Sequence, residues 1–364
     1  MKVLHIQLYP LLSGVQNVSI QEIKLLKEKV QYHVIMKESG PFSDQLCELN
    51  VPVYYVKNLT RSINPIQDFI SLLKIIKWIR RINPDIVHVH SAKTGFLGRV
   101  ASRILKKKVI YTVHGWPMNA SLPSVTNRLY SLLESLLSNI TDATICLSKR
   151  DVQIGRALNK RSNILYIPNG VDLVKYKPCR EKRRHPKVQL LFMGRFDKQK
   201  DPIFFLKGLN ELRNQDVFSV KIIGGGGLQA EVQKSVSSLV DRGYNISLNS
   251  WSDRPDLELR EADVFVMTSL YEGMPLALLE AMATGLICIV PSLLEFSELI
   301  ENNENGLVYD AGNINSLKDT LLKVTTNIEL YRFLGENARV KVQQEFNIDK
   351  RVAEIMKHYS SYDY

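Results

Sequence analysis

Apolar residues follow two different spacings along this chain. Short continuous runs such as KVLHIQLYP, DIVHVHS and ADVFVMTS are typical of buried strands. Between such runs lie longer segments such as IQDFISLLKIIKWIRRINP, whose apolar residues recur every three or four positions until the helix breaks before Pro84. Strands that alternate with helices in this way predict an α/β fold built on a doubly wound parallel sheet.

The alternation starts afresh at VQLLFMGRFDKQKDP, and a chain of 364 residues is too long for one ordinary core. Just before this point, PCREKRRHPK is highly charged and bracketed by prolines, which is typical of a linker. We therefore predict two domains, residues 1–178 and residues 188–345, joined by a linker at residues 179–187. Residues 346–364 are predicted to form a last helix.

Composition limits the classes of function. The formal net charge of +11 favours an acidic partner: a phosphorylated substrate, an anionic membrane surface or nucleic acid. Nucleic acid is not expected, because the basic residues are scattered and form no recognisable nucleic-acid module. No apolar run approaches the roughly 20 residues that span a bilayer, and MKVLHIQLYP resembles a first strand more than a signal peptide. The four cysteines lack CxxC spacing, which indicates reduced residues in a cytoplasmic protein.

One predicted helix has a basic outer face, formed by Lys74, Lys77, Arg80 and Arg81. Such a face is either solvated or docks on an anionic membrane. In the second case the protein would be peripheral on the inner face of the membrane. The sequence leaves both interpretations open.

The segment EGMPLALLEAMATG, Glu272 to Gly285, combines two carboxylates with a helix start. Gly273 and Pro275 interrupt the chain after a buried strand, and the free backbone N–H groups of the helix start can face an anion such as phosphate. Glu280 lies further along the helix, where its carboxylate could bind the hydroxyls of a ribose. The alternative is that Glu272 caps the loop and Glu280 is a solvated helix residue.

Two more loops carry residues suited to phosphate. Arg195 and Lys200 follow a strand, and together they could hold a diphosphate, arginine as a planar fork and lysine as a point charge. Gly14 opens the helix after the first strand, where it either lets a ligand approach the backbone or simply forms a turn. The glycine run at residues 224–227 lacks the dinucleotide fingerprint and is expected to be a turn beside the site.

Histidines end two strands of the first domain. Because ligands bind outside the carboxyl ends of parallel strands, we expect His90, Ser91 and His114 at one cleft, with Trp116 just beyond. His88 and His90 share a strand face, which could suggest a metal pair. No neighbouring carboxylate or cysteine completes a ligand set, so we expect no metal site.

Six segments resemble, in their order and spacing, the retaining family 4 glycosyltransferases: SGVQ, VHVHSAKTGFLGRVASR, YTVHGW, IPNGVD, GRFDKQKD and EGMPLALLEAMATG. The resemblance covers nearly the whole chain. It implies the GT-B architecture, in which two Rossmann-like domains face each other across a cleft and the last helix crosses back to the first domain. Two positions depart from the family's pattern: Ser13 precedes Gly14 where many relatives carry paired glycines, and Asp201 stands where glycine is frequent.

The resemblance also implies roles for residues. Arg195 and Lys200 would hold the donor's diphosphate and stabilise its developing charge, Glu280 would bind ribose, and Glu272 and His114 would contact the transferred sugar. The implied catalytic residues are His114, Glu272, Arg195 and Lys200. The implied donor-binding residues are Gly14, Arg195, Lys200, Gly273, Met274, Pro275, Leu276 and Glu280. On the acceptor side lie His90, Ser91 and Trp116, with residues 116–128 as the loop that shapes the acceptor site.

By the same resemblance, the reaction retains the anomeric configuration without a metal or a cofactor, and the departing phosphate takes the acceptor's proton. We expect transfer of a hexose or N-acetylhexosamine from a nucleotide sugar, UDP-linked, to a glycan or polyprenyl-linked acceptor in cell-surface polysaccharide synthesis. Alternatives are a nucleotide-sugar epimerase or phosphorylase of similar fold, or a non-catalytic nucleotide-sugar-binding partner.

Overall fold

The computed structural model describes residues 1–60, 62–118, 123–179, 187–213 and 215–362. It divides the chain into two compact units. The first unit comprises Met1–Asn169 together with Asp349–Tyr364, and the second unit comprises Gly170–Ile348. Residues 180–186 of the predicted linker and residues 119–122 of the predicted acceptor loop lie outside the described residues.

Each unit contains one parallel sheet. Within the described residues, the first sheet has the order β3-β2-β1-β4-β5-β6-β7 and the second has the order β10-β9-β8-β11-β12-β13. The strands are β1 (Lys2–Ile6), β2 (Gln31–Met36), β3 (Val53–Tyr55), β4 (Ile86–His90), β5 (Lys108–Val113), β6 (Ala143–Cys146), β7 (Ile164–Tyr166), β8 (Val188–Arg195), β9 (Phe218–Gly225), β10 (Ile246–Asn249), β11 (Val264–Val266), β12 (Ile287–Pro291) and β13 (Leu307–Tyr309).

Helices connect and cover the strands. They are α1 (Gly14–Leu26), α2 (Pro41–Glu48), α3 (Pro65–Ile82), α4 (Ala92–Ile104), α5 (Ser124–Ser138), α6 (Lys149–Leu158), α7 (Pro202–Asn210), α8 (Gln229–Asp241), α9 (Pro255–Glu261), α10 (Leu276–Thr284), α11 (Ile314–Thr326), α12 (Arg332–Glu345) and α13 (Ile348–Ser360), with a 3-10 turn at Ile328–Tyr331. In the part of the chain that the structure describes, no helix combines the length and hydrophobicity that crossing a bilayer requires.

The first sheet reverses its strand order between β1 and β4, which pair in parallel although two strands and three helices separate them in sequence. All five residues of β4 are buried. Val87 and Val89 on one side of that strand join the apolar core, so the alternate residues His88 and His90 lie on its other face. In such sheets the carboxyl ends of the strands beside the reversal form the ligand crevice. The loops after β1 and β4 therefore lie at the expected crevice of this unit, and the loop after β5 follows the next strand of the sheet.

The second sheet reverses in the same way between β8 and β11. Its core includes Phe192 and Phe205, whose rings stack with centroids 5.9 Å apart and hold α7 against β8. The loops after β8 and β11 thus meet at the corresponding edge of the second sheet.

The glycine run at the end of β9 forms a tight turn beside the β8 loop. Gly224 and Gly226 have φ angles of 154° and 151°. A Cβ atom on Gly224 would lie 1.9 Å from the carbonyl oxygen of Gly194, so the two backbones are in direct contact there. A side chain at this position would push apart β8 and β9 just before Arg195.

Helix α13 packs mainly on the first unit. Arg351 and Glu22 form a buried ion pair with 2.6 Å between Nη2 and Oε1, and Arg351 also donates to the carbonyl oxygens of Ile167 and Pro168. Tyr359 is fully buried, and its hydroxyl reaches His88. The chain thus ends as part of the unit in which it began.

The structure differs locally from the sequence-based predictions. The strand predicted over residues 262–269 is shorter, because Thr268 leaves the ladder and its hydroxyl donates to the carbonyl oxygens of Lys200 and Asp201. The predicted acceptor loop at residues 116–128 already contains the first turn of α5, which begins at Ser124 after Pro123. Helices α2 and α9 and strand β13 lacked a sequence signal, since each is too short for its spacing to stand out.

Candidate active site

Lys200 and Glu272 form an ion pair at the reversal point of the second sheet. Lys200 belongs to the loop after β8 and Glu272 to the loop after β11, and Lys200 Nζ bonds to Glu272 Oε1. The side chains are only 18% and 6% exposed. The backbone N–H of Lys200 donates to Asp197 Oδ1 at 3.0 Å, which holds the loop in place. The loop and the ion pair together hold the Lys200 side chain beside a carboxylate.

Arg195 ends β8, just before the loop that carries Lys200, and its side chain is 53% exposed. Its guanidinium is 3.2 Å from Asp197 Oδ2 and donates to Gln199 Oε1 at 2.7 Å. Gln199 in turn donates to the carbonyl oxygen of Tyr271 at 3.1 Å. One amide side chain therefore connects Arg195 to the loop that carries Glu272.

Helix α10 begins directly after that loop. Its N-cap is Pro275, no side chain among the described residues caps it, and the first turn contains no acidic residue. The first-turn N–H groups, starting at Leu276, have no acceptor within the helix, and the positive end of the helix dipole adds to their attraction for an anion. Gly273, Met274 and Pro275 form the bend that leads into this helix start.

Glu280 lies on α10 about one turn beyond the helix start. The hydroxyl of the buried Tyr176 donates to its carboxylate. Burial raises the pKa of Glu280 to about 7, although the Tyr176 hydrogen bond and the charge of Lys175 act in the opposite direction. The carboxyl group is consequently half ionised near neutral pH. It is not the freely solvated helix residue of the alternative interpretation.

His114 and His90 lie together in the first unit. His114 follows β5, His90 ends β4, and His90 Nδ1 is 3.2 Å from His114 Nε2. His90 is buried, whereas part of His114 is accessible. Burial and the charge of Arg351 lower the pKa of His114 to about 3, so the ring is neutral at pH 7.

The remaining predicted residues of the first unit have structural contacts of their own. Gly14 is the first residue of α1, and the preceding Ser13 donates to Gln16 instead of capping the helix. Ser91 has a φ angle of 68°, an uncommon conformation for a residue with a side chain, where α4 begins. Trp116 donates from Nε1 to the carbonyl oxygen of Asp151 at 3.0 Å.

Sequence reasoning missed several partners of these residues. The family resemblance implies no role for Asp197 and Gln199 inside the segment GRFDKQKD, although a carboxylate and an amide between two cations are a recognisable signal. Tyr176, the partner of Glu280, and Tyr359, the partner of His88, carry no comparable signal. Each is an isolated polar residue whose partner is distant in sequence.

A comparison with solved structures defines the class of fold. The crystal structure of Anabaena Alr3699/HepE in complex with UDP and glucose matches with a TM-score of 0.85, covering 99% of this chain and 100% of that chain at 17% identity. The apo form of the lipopolysaccharide outer core galactosyltransferase WaaB matches with a TM-score of 0.73 over 99% of this chain and 100% of that chain, also at 17% identity. Two Rossmann-like units with these neighbours confirm the predicted GT-B fold.

Sequence comparisons then identify the family. Residues 12–175 match the model of Glycosyltransferase Family 4, and residues 178–341 match that of Glycosyl transferases group 1. An Escherichia coli protein described as UDP-Gal:alpha-D-GlcNAc-diphosphoundecaprenol alpha-1,3-galactosyltransferase is 36% identical over 98% of this chain and 96% of its own length. The chain belongs to the family 4 glycosyltransferases, as the resemblance in sequence predicted.

Proposed function

We propose that this protein transfers a hexose or N-acetylhexosamine from a UDP-sugar to a polyprenyl-linked glycan, with retention of the anomeric configuration. The observation that carries the proposal is the Lys200–Glu272 pair, fixed at the sheet reversal beside Arg195 and the uncapped start of α10. The name of the Escherichia coli relative supports UDP-galactose as the first donor to test and a diphosphate-linked lipid as the acceptor class.

In this proposal, residues of the second unit bind the nucleotide-sugar donor. Arg195, Lys200 and the amides at the start of α10 neutralise the diphosphate, whose negative charge grows as the bond to the sugar breaks. Because these groups are already held in place, they need little rearrangement during the reaction. Glu280 accepts hydrogen bonds from the ribose hydroxyls, and Glu272 binds the sugar while its charge keeps Lys200 oriented.

The acceptor's proton leaves on the face from which the diphosphate departs. In this proposal a phosphate oxygen takes that proton, and the acceptor oxygen attacks the same face, so the configuration is retained. The fixed cations of the chain supply the charge stabilisation that a metal ion provides in other transferases. We therefore propose metal-independent transfer.

His114 contributes a neutral polar group to the sugar. With a pKa of about 3, its ring carries no charge at pH 7 and can hydrogen-bond a sugar hydroxyl as a neutral group. Its role is to orient the sugar rather than to move the acceptor's proton.

Ligand-induced stabilisation tests the donor site. The thermal unfolding midpoint is measured in EDTA with UDP, UDP-galactose, UDP-glucose and UDP-N-acetylglucosamine. A ligand at a hundred times its Kd stabilises by about 2.7 kcal/mol, and we expect this gain for UDP in the wild type but not in Glu280→Ala. Glu345→Ala, which removes an exposed carboxylate from α12, is the matched control. An unchanged midpoint with every nucleotide would overturn the proposed donor site.

A transfer assay tests the reaction. Purified protein, UDP-sugar and a polyprenyl-diphosphate-linked N-acetylglucosamine are incubated in EDTA, and the product linkage is determined by NMR. We expect a new α-linkage from an α-linked donor. A β-linkage would contradict retention, an isomerised donor without acceptor consumption would indicate an epimerase, and a dependence on inorganic phosphate would indicate a phosphorylase.

The exposed face of α3 supports action at a membrane. Ile66, Phe69 and Leu73 are exposed along its first half, and the basic side chains Lys77 and Arg80 follow on the same side of the helix. Apolar side chains next to a basic group suit an anionic lipid surface, where a polyprenyl-linked acceptor would be found. We therefore propose a peripheral location on the inner face of the membrane.

A further inference from the structure

A continuous series of hydrogen bonds connects His114 to Thr112 through the interior of the first unit. His90 Nε2 lies 3.1 Å from His5 Nδ1, and His5 Nε2 lies 3.3 Å from the hydroxyl of Tyr359 on α13. That hydroxyl is also 2.6 Å from His88 Nδ1. His88 Nε2 is 2.7 Å from Thr112 Oγ1, where the series ends. We call the six side chains the histidine chain; in order they are Thr112, His88, Tyr359, His5, His90 and His114.

In the histidine chain, both ring nitrogens of His5, His88 and His90 take part in hydrogen bonds. Nitrogen atoms of His5, His88 and His90 lie within 4.8 Å of one another, close enough to suggest a metal site. Yet each of these nitrogens already has a hydrogen-bond partner in the chain. Hydrogen bonding therefore accounts for the cluster without a metal ion.

Thr112 determines the direction in which hydrogen bonds are donated along the histidine chain. A neutral histidine has one N–H donor and one acceptor nitrogen, so each ring passes on the direction of its neighbour. Thr112 is fully buried, and His88 Nε2 is the one partner that its hydroxyl has among the described residues. If His88 donated to Thr112, the hydroxyl proton of Thr112 would be left in the core without an acceptor, which is costly. The favoured direction is donation from Thr112 to His88.

This direction of donation determines which ring nitrogen carries the proton in each histidine. His88 carries its proton on Nδ1 and donates to Tyr359, and the Tyr359 hydroxyl donates to His5 Nε2. His5 donates from Nδ1 to His90, and His90 donates from Nδ1 to His114 Nε2. His114 must therefore carry its own proton on Nδ1. In the described part of the chain this Nδ1 has no hydrogen-bond partner, so its N–H is available to a ligand.

We propose that Thr112 and Tyr359 are positioning residues that, through the histidine chain, fix His114 in the Nδ1–H tautomer. His114 thereby presents a donor, not an acceptor, to an oxygen of the transferred sugar. This inference rests on the proposed function for the identity of the ligand, whereas the tautomer itself is a property of the unliganded protein.

Burial, aided by nearby charges, keeps the rings of the histidine chain neutral. Arg351 from α13, paired with Glu22 from α1, is an ionised group whose charge acts on His88, His90 and His114, and Tyr32 from β2 packs edge-on against His5. Burial, followed by the charges of other chain members and Arg351, lowers the pKa of His88 and His90 well below the usual value. Neutral rings are required for a single direction of donation, because a protonated histidine would donate from both nitrogens.

Nitrogen-15 NMR of histidine-labelled full-length protein measures the tautomer directly at pH 7.5 without ligand. His114→Asn assigns the His114 signals. We expect a protonated Nδ1 and an unprotonated Nε2 on His114. Thr112→Val removes the hydroxyl at nearly constant volume and should move the His114 proton to Nε2 or produce a mixture, whereas Thr112→Ser should restore Nδ1–H. Tyr359→Phe interrupts the chain and should also produce a mixture.

Steady-state kinetics on the same variants separate positioning from folding. Thr112→Val and Tyr359→Phe should lower kcat about tenfold, which corresponds to the loss of one hydrogen bond of about 1.4 kcal/mol to the sugar, with an unchanged Kd for UDP. Tyr362→Phe is the control, because its hydroxyl also comes from the C-terminal segment but donates to the carbonyl oxygen of Asp142 outside the chain. It should change neither tautomer nor kcat.

Each contrary result has a distinct meaning. A proton on Nε2 of His114 in the wild type, or an Nδ1–H tautomer that persists in Thr112→Val and Tyr359→Phe, would overturn the proposal. A changed tautomer with an unchanged kcat would overturn the link to sugar binding. The expected tautomers in a protein that transfers no sugar would support the histidine chain and refute the proposed function instead.

Discussion

Arg195 and Lys200 have the same proposed task but very different surroundings. Arg195 is half exposed and hydrogen-bonded to an exposed loop, whereas Lys200 is mostly enclosed against Glu272. Removing an exposed charge changes stability little, but removing one member of an enclosed pair leaves the other charge without compensation. The two residues should therefore respond differently to substitution.

We expect Arg195→Ala to abolish most transferase activity while the free energy of unfolding changes by less than about 0.5 kcal/mol. Lys200→Met should abolish activity and also destabilise the protein by about 3 kcal/mol, because Glu272 loses its partner. Urea denaturation and a transfer assay measure the two effects.

The double variant Lys200→Met/Glu272→Gln is the control for that interpretation. It should recover most of the lost stability and none of the activity, since no buried charge remains. If the double variant were as unstable as Lys200→Met, the stability loss would come from packing and not from the charge of Glu272.

Ionisation of the Glu280 carboxyl group should have opposite effects on the stability of the protein and on nucleotide binding. Its pKa rises from 4.5 to about 7 on folding, so the folded protein holds this proton more tightly than the unfolded chain. The contribution of Glu280 to stability is therefore fully present below about pH 4.5 and is lost as the pH rises through about 7. Above pH 7 the ionised carboxylate destabilises the unliganded fold but suits the ribose hydroxyls.

Glu280→Gln should accordingly be more stable than the wild type at pH 8, by about 2 kcal/mol, because a pKa unit corresponds to about 1.4 kcal/mol and part of the residue remains accessible. The difference should vanish at pH 4.5. The same variant should bind UDP more weakly at pH 8. Urea denaturation at both pH values and calorimetric titration with UDP check this prediction; a variant less stable than the wild type at pH 8 would contradict it.

At the scale of elements, α3 differs from its neighbours because its exposed face is apolar at one end and basic at the other. The sequence indicated the basic end but not the apolar one, since helical spacing alone assigns apolar residues to the core. Ile66, Phe69 and Leu73 are instead exposed at the start of the helix. An apolar surface of this kind on a helix calls for a partner.

We expect the protein to sediment with vesicles that contain phosphatidylglycerol and to stay in solution with pure phosphatidylcholine. Lys77→Glu/Arg80→Glu should weaken binding by about tenfold or more, because each basic residue near an anionic surface contributes about 1 kcal/mol. Phe69→Ser should weaken binding even at low salt. Leu294→Ser, an exposed leucine of the second unit, is the matched control. Equal binding by all variants would exclude α3 as the docking element.

The sequence predicted some elements and partners but not others, for physical reasons. Interior strands of a parallel sheet are covered on both faces, so β4 and β8 are apolar runs in the sequence. Because ligands bind at the ends of such strands, the ends of these runs predicted the positions of Arg195 and His90. The three-residue strand β13 is too short for such a signal. Tyr359 reaches His88 only because α13 returns to the first unit, and no local pattern encodes that contact.

At the scale of the whole molecule, the buried histidines predict sensitivity to acid. Burial lowers the pKa of His5 and His114 to about 3 and those of His88 and His90 well below 6.5, so the folded protein keeps all four neutral. The unfolded chain protonates them near pH 6.5. Their contribution to stability is therefore present above about pH 6.5 and is lost as the pH falls below it.

These four histidines and Glu280 should together take up roughly three protons on unfolding between pH 6 and 5, since Glu280 offsets one of the four histidines in this range. Their joint contribution to the free energy of unfolding should then fall by about 4 kcal/mol per pH unit. Urea denaturation at pH 5, 6 and 7.5 measures this slope. A free energy of unfolding that stays constant from pH 7.5 to 5 would show that the histidines are accessible to protons in the folded state.

The chain enters and leaves the second unit at one place. Val171 N–H donates to the carbonyl oxygen of Phe346 at 2.9 Å, and Ile348 N–H donates to that of Val171 at 3.1 Å. A Cβ atom on Gly170 would lie 2.5 Å from Cα of Ile348, so the two crossing segments touch. The second unit is therefore an insertion whose ends already meet. We therefore expect residues 170–348 to fold on their own as one continuous polypeptide, or as a circular permutant closed by a short linker, and to keep the proposed nucleotide site.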